Sequence, residues 1–130
     1  MDELTSFLRA RLAEDEATAI GARESEFCED GRWVVRGPFG DSQLLGSVQS
    51  EVSEAILGED TDDVPFPLAL HVARHDPART LADVEAKRRL IDWVLRWPMR
   101  PAPPSSVNGV LELLALPYAD HPDYRKDWRP

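Results

Sequence analysis

The feature that most constrains this chain is an Asp-Pro pair followed by a long stretch without a helix breaker. Asp76 is a good N-cap and Pro77 suits the first helical position, where a backbone N–H is not needed. From there ARTLADVEAKRRLIDWVLRW runs without Gly or Pro until Pro98. Leu81, Val84, Ile91, Val94 and Leu95 fall largely on one face. Asp83 with Lys87 and Glu85 with Arg89 are acid-before-base pairs four residues apart, the favourable order along a helix. The spacing predicts a helix over residues 77 to 97, about 31 Å long at the standard rise. Whatever else the chain does must be arranged around this rod.

The other segments are shorter. Leu4, Phe7, Leu8 and Leu12 recur at helical spacing, and Asp2 and Glu3 sit in the first turn where the helix dipole favours negative charge. Arg11 and Asp15 are placed to pair, and the pattern fades near Gly21. Trp33, Val34 and Val35 are strand formers, and Gly37, Pro38, Gly40 and Asp41 supply turn chemistry. Leu44, Leu45 and Val48 are the expected returning strand of a hairpin, with Gly46 a weak point or a bulge. A two-stranded hairpin is marginal by itself and must pack on a helix. Ser50 is a cap for a short helix carrying Val52, Ala55 and Ile56, closed by Gly58. An acidic loop, residues 59 to 63, leads to Pro65 and to a short helix over Pro67 to His75.

Pro98, Pro101, Pro103 and Pro104 end the long helix and read as a stiff linker. Ser105 or Ser106 then caps a last helix bearing Val110, Leu111, Leu113, Leu114 and Leu116, which Pro117 ends. The tail has too many prolines for regular structure. Its aromatics Tyr118, Tyr124 and Trp128 predict that it packs back on the long helix, its Asp residues meeting Arg74, Arg79, Arg88 and Arg89. Together these elements predict one domain over residues 1–130, α+β in class: a mostly helical small fold with a long central helix and one small β-hairpin.

Charge and cysteine usage narrow the function. The 24 acidic and 15 basic residues leave a net charge of −9. Such a surface repels phosphate backbones, so general nucleic-acid binding is not expected, while solubility and basic partners are favoured. Cys28 is the single cysteine, so neither an intrachain disulfide nor a four-cysteine zinc site can form. Its neighbours Glu26, Glu29 and Asp30 disfavour a thiolate nucleophile. The start of the chain is charged and has no apolar signal core, and no apolar run approaches a membrane span. A cytoplasmic protein without membrane association is expected.

Three clusters could carry chemistry. His71 and His75 lie four apart, which puts both imidazoles on one helical face at metal-ligand spacing. Two ligands do not make a site; a third would have to come from Asp76, Asp120 or His121. The plainer reading is a packed His71 beside Leu68 and Val72, and a His75 favoured by the helix C-terminus. Arg74, His75, Asp76 and Arg79 meet at a joint between helices, where free amides could bind an anion. Capping by Asp76 explains the same residues without a ligand. Finally Asp120, His121, Asp123 and Tyr124 bunch in the tail, where His75, Asp120 and His121 are the candidates for acid–base work. Arg74, Asp76, Arg79, Tyr118, Tyr124 and Arg125 are the candidate binding residues. No nucleophile motif, phosphate loop or dinucleotide fingerprint accompanies them. No cofactor or resident metal is expected.

Three blocks resemble a known family. They are FLRARLAEDE (residues 7 to 16), HVARHDPARTLADVEAKRRLID (71 to 92) and LLALPYADHPDYRKDWRP (113 to 130). They are similar to a family found in actinobacteria and their phages and known only as a domain of unknown function, family 6221. Members often carry extra cysteines or histidines before the last block, where this chain has MRPAPPSSVNG and none. The resemblance implies no activity and transfers no catalytic residue. The favoured reading is a small acidic interaction or regulatory protein with a protein partner. The alternatives are a metal-dependent or acid–base enzyme using His71, His75 and His121, and an acidic inhibitor imitating DNA. Lys and Arg interleaved with the acids weaken the last.

Overall fold

The computed structural model describes residues 2–25, 31–39, 45–50, 64–96 and 104–130. The elements in chain order are α1 (Glu3–Arg23), β1 (Trp33–Phe39), β2 (Leu45–Ser50), β3 (Val64–Pro65), α2 (Phe66–Arg74), α3 (Pro77–Leu95) and α4 (Pro104–Ala115). Short 3-10 turns follow at Leu116–Tyr118 and Lys126–Trp128. The fold is α+β and mostly helical, with α3 as the expected long helix. The Ser50-capped helix, the acidic loop, Gly40, Asp41, Cys28 and the prolines before Pro104 lie outside the described residues.

Contacts divide the chain into two compact units. One comprises residues 1–15 and 83–130, the other residues 16–82. The divisions fall inside α1 and α3.

In the first unit, α1 opens as its sequence dictates: the Thr5 amide donates to Asp2 Oδ1 at 2.8 Å, so Asp2 is the N-cap. Leu4, Phe7, Leu8 and Leu12 from α1, Val84 and Ile91 from α3, and Leu111 and Ala115 from α4 form one buried cluster. Leu8, Leu12, Ile91 and Leu111 are each 1% exposed or less. The 3.6-residue period of each helix puts these side chains on inward stripes. Leu95, counted in the inward stripe from sequence, is instead 37% exposed. Asp83–Lys87 at 2.5 Å and Glu85–Arg89 at 2.7 Å are formed as expected.

The second unit is a three-stranded antiparallel sheet, order β1-β2-β3, packed on α2. The hairpin register pairs Trp33 with Ser50 and Val35 with Val48. The first strand runs on through Gly37 and Pro38, which the sequence had suggested for the turn. The reason is a bulge: the register shifts between Arg36 and Phe39, and Gly37 has a φ of 121° that costs glycine nothing. β1 is an edge strand, where a proline costs no ladder bond on its open side. The two-residue β3, pairing Pro65 with Leu45 and Val64 with Gly46, had no sequence signal. Val48, Ala69 and Ala73 form the buried cluster, flanked by Trp33, Val35, Val64 and Val72.

Two further expectations change. The last helix begins at Pro104, so Ser105 and Ser106 lie within its first turn rather than at the cap. Proline has its φ preset for that position and lacks the amide that would go unpaired there. Likewise the tail, read as irregular, contains two 3-10 turns, and Pro117 sits inside the first.

Candidate functional site

Two places collect most of the residues singled out from sequence, and a third stands beside them. The first is the joint before α3, in the second unit. Asp76 Oδ1 accepts the Arg79 amide at 2.8 Å, and Oδ2 accepts the Trp33 amide at 3.2 Å. One carboxylate therefore caps α3 and pins the start of β1. Nearby, the Ala78 amide donates to the Gly31 carbonyl at 3.0 Å, and Gly31 has a φ of 69°. A Cβ there would stand 3.1 Å from Pro77 Cβ, so the close approach requires glycine. Arg79 Nη1 donates to the Arg74 carbonyl at 3.2 Å. An open groove of about 340 Å³ is lined by Arg32, Asp76, Ala78 and Arg79. The amide that an anion would use is occupied by Asp76, which supports the capping account of Arg74, Asp76 and Arg79.

His71 and His75 stand on α2 with ring centroids 4.3 Å apart. His75 Nδ1 donates to the His71 carbonyl at 2.8 Å. Both histidines are exposed, so His71 is not the packed residue its neighbours Leu68 and Val72 suggested; Leu68 is itself 50% exposed. The inward positions of this helix are Ala69 and Ala73, six and two residues before His75, and they turn His71 outward. Among the described residues no three or more His, Cys, Asp or Glu are grouped to hold a metal ion.

The second place is the tail, in the first unit. Its aromatics gather with Phe7 of α1 as the hub. Around Phe7 stand Tyr118 at 6.4 Å, His121 at 5.7 Å, Tyr124 at 6.0 Å and Trp128 at 5.1 Å between ring centroids. Three of the four contacts are edge-to-face, the geometry ring quadrupoles favour. Tyr118, Tyr124 and Trp128 are partly buried against the cluster to which α1 gives Leu4, Leu8 and Leu12 and the long helix α3 gives Val84 and Ile91.

Beneath the tail lies Arg11, 8% exposed. Its guanidinium sits 5.2 Å from the Phe7 ring centroid, a cation–π contact. Nη2 donates to Glu14 at 2.9 Å, and Nη1 reaches the His121 ring, 2.6 Å from Nδ1, and lies 3.9 Å from Asp123. The Arg11–Asp15 pairing expected from spacing is replaced by Arg11–Glu14. Asp15 instead accepts the Tyr118 hydroxyl at 2.5 Å. Burial, and then this bond to Asp15, push the Tyr118 phenol well above its usual range. His121 Nδ1 also accepts the Asp123 amide at 3.1 Å. His121, Asp123 and Tyr124 are thus brought together, whereas Asp120 is exposed on a turn.

Arg125 bonds to Asp127 and Glu3, which hold its guanidinium above the usual range, Asp127 first. Tail acids therefore meet Arg11 and Arg125. Two open grooves flank Trp128 and Arg125, of about 540 and 420 Å³. Their walls include Phe7, Arg11 and Asp123 in the first and Asn108 and Glu112 in the second. Between these grooves Arg125 bridges Glu3 and Asp127, and Arg11 lies beside Asp123, which makes this region a lock holding the tail on α1.

The third place was overlooked from sequence. On α3, opposite Val84, Ile91 and Val94, lie Ala86, Leu90 and Trp93, all exposed. Leu90 is 37% and Trp93 53% exposed. The signal was present: these residues recur at i, i+4 and i+7, a second apolar stripe on the same rod. Leu113 and Leu116, 60% and 38% exposed, add to the apolar surface of the same unit. Among the described residues no helix is long and apolar enough to cross a membrane.

Residues 1–130 match the family described as "Family of unknown function (DUF6221)". No curated protein and no solved structure matches the chain.

Proposed function

We propose that this chain, which belongs to that family of unknown function, works as an interaction protein whose docking face is the outer stripe of α3. The observation that carries this reading is Trp93. A large aromatic 53% exposed, in line with Leu90 on a helix anchored from behind by Ile91 and Val94, is a rigid anchor of the kind that dominates protein interfaces. The partner is a protein, met in the cytoplasm of an actinobacterium or in a phage-infected cell, as the resemblance of the three blocks suggests.

The described surface gives less support to imitation of DNA. Its carboxylates are interleaved with cations in Arg9–Asp92, Asp83–Lys87, Glu85–Arg89 and Glu3–Arg125. For acid–base chemistry, the His121 ring is engaged by Arg11 and the Asp123 amide, and His75 Nδ1 by a backbone carbonyl.

Site-specific photo-crosslinking in the native host tests the reading. A photoreactive residue at position 93 is expected to trap a discrete protein species, and one at the exposed Glu24 is not. Equal or absent crosslinking at the two positions would remove the docking face.

A further inference from the structure

We propose that His71 and His75 form a surface chelate for a divalent transition-metal ion, of which Cu²⁺ binds tightest. The site is independent of the docking face of α3. It is carried by the state of the two rings as well as by their spacing.

The backbone at the end of α2 prepares His75. A continuing helix would bond the His75 amide to the His71 carbonyl four residues back. Here that amide bonds to the Val72 carbonyl at 3.1 Å, and the His71 carbonyl is left over. The His75 ring takes it, with Nδ1 2.8 Å from the oxygen. A carbonyl can only accept, so Nδ1 carries the hydrogen and Nε2 of the neutral ring keeps its lone pair. Metal-binding histidines are held in this way, one ring nitrogen on a backbone carbonyl and the other on the ion.

His71 offers the second donor. Its ring is exposed, and its nitrogens have no partner among the described residues. The ring centroids are 4.3 Å apart and the planes 33° from parallel. Two imidazoles that meet one ion at right angles, each at the usual metal–nitrogen distance, have centroids about 4.5 Å apart. The pair therefore stands close to chelating separation before any ion arrives.

The donor set fixes the ion and how firmly it is held. Imidazole nitrogens suit Cu²⁺, Ni²⁺ and Zn²⁺, with Cu²⁺ at the top of the affinity order, whereas Mg²⁺ and Ca²⁺ require oxygen. Asp76 supplies no third ligand, because its oxygens accept the Arg79 and Trp33 amides. Among the described residues no larger group of ligands surrounds the pair. Water completes the coordination sphere. The ion is therefore exchangeable, and its remaining positions are open to a donor from another molecule.

Titration of the protein with Cu²⁺ near neutral pH, read by electron paramagnetic resonance, tests this, with far-UV circular dichroism confirming that each variant folds. Wild type is expected to bind one ion through two nitrogens, undisturbed by millimolar Mg²⁺. His71→Ala and His75→Ala should each weaken binding about tenfold or more, because a single imidazole loses the chelate. His75→Ala also removes the bond to the His71 carbonyl, so His71→Ala, which breaks no bond in the fold, carries the decision. Absence of Cu²⁺ binding at millimolar metal would overturn the site. So would binding unchanged in His71→Ala, the result expected if His121, the one other histidine, held the ion.

Discussion

The two units of this protein hold together by different means. The first is built on large side chains: Phe7, Leu8, Leu12, Ile91 and Leu111 are buried in one cluster, and four aromatic rings of the tail close over Phe7. The second buries Val48, Ala69 and Ala73 and depends more on backbone bonds. There Asp76 takes the amides of both Trp33 and Arg79, and Ala78 bonds to Gly31. A unit with a deep core can leave some large apolar side chains outside, and those are the ones available to a partner.

This contrast can be broken by mutation. Phe7→Ala removes the hub that four rings share, and is expected to cost about 3–5 kcal/mol of stability in denaturant titration, as large-to-small core changes do. A cost under about 1 kcal/mol would mean that the tail is held by something other than Phe7. In the second unit the counterpart is polar. Asp76→Ala leaves two amides without their acceptor and is expected to cost about 2 kcal/mol. Asp76→Asn should recover part of this, because an amide oxygen still caps. Chemical melts of the three proteins check the order.

Tyr118→Phe should cost about 1 kcal/mol, the usual net value of one hydrogen bond. It also carries a pH signature. The folded phenol is raised above the unfolded value of about 10, so the folded state holds its proton more tightly. That stability is fully present below about pH 10 and is lost as the pH rises above it. Wild type should lose stability from about pH 10 upward, and Tyr118→Phe should lose less over the same range. Urea titrations at pH 8 and pH 11 compare the two. The smallest effect is expected at Glu85→Gln. Its pair with Arg89 is exposed on both sides, and melts should move by less than about 0.5 kcal/mol.

Much of the framework was legible before any coordinates. Asp76-Pro77 announced the start of α3, and the cap bond to Arg79 is there. The hairpin followed from Trp33–Val35 and Val48, and ordering of the tail followed from its aromatics. What failed were choices among equivalent partners. Asp15 and Glu14 are both within reach of Arg11 on a helix, and Tyr118 decided the matter by taking Asp15 from a distance of 103 residues. The Trp93 stripe was visible as a period but was lost beside the stronger inward stripe. The bulge at Gly37–Pro38 defeats any rule that reads Gly-Pro as a turn.

Fluorine NMR of the protein labelled with fluorotryptophan tests the central claim most directly, because it reads Trp93 and Trp128 in the same sample. Trp93, the proposed anchor, should shift or broaden when the protein trapped by crosslinking at position 93 is added. Trp128, held against Phe7 and Tyr124, should not move. A Trp93 line that stays fixed when that protein is added, or one that moves only together with Trp128, would contradict the assignment of α3's outer stripe as the docking face.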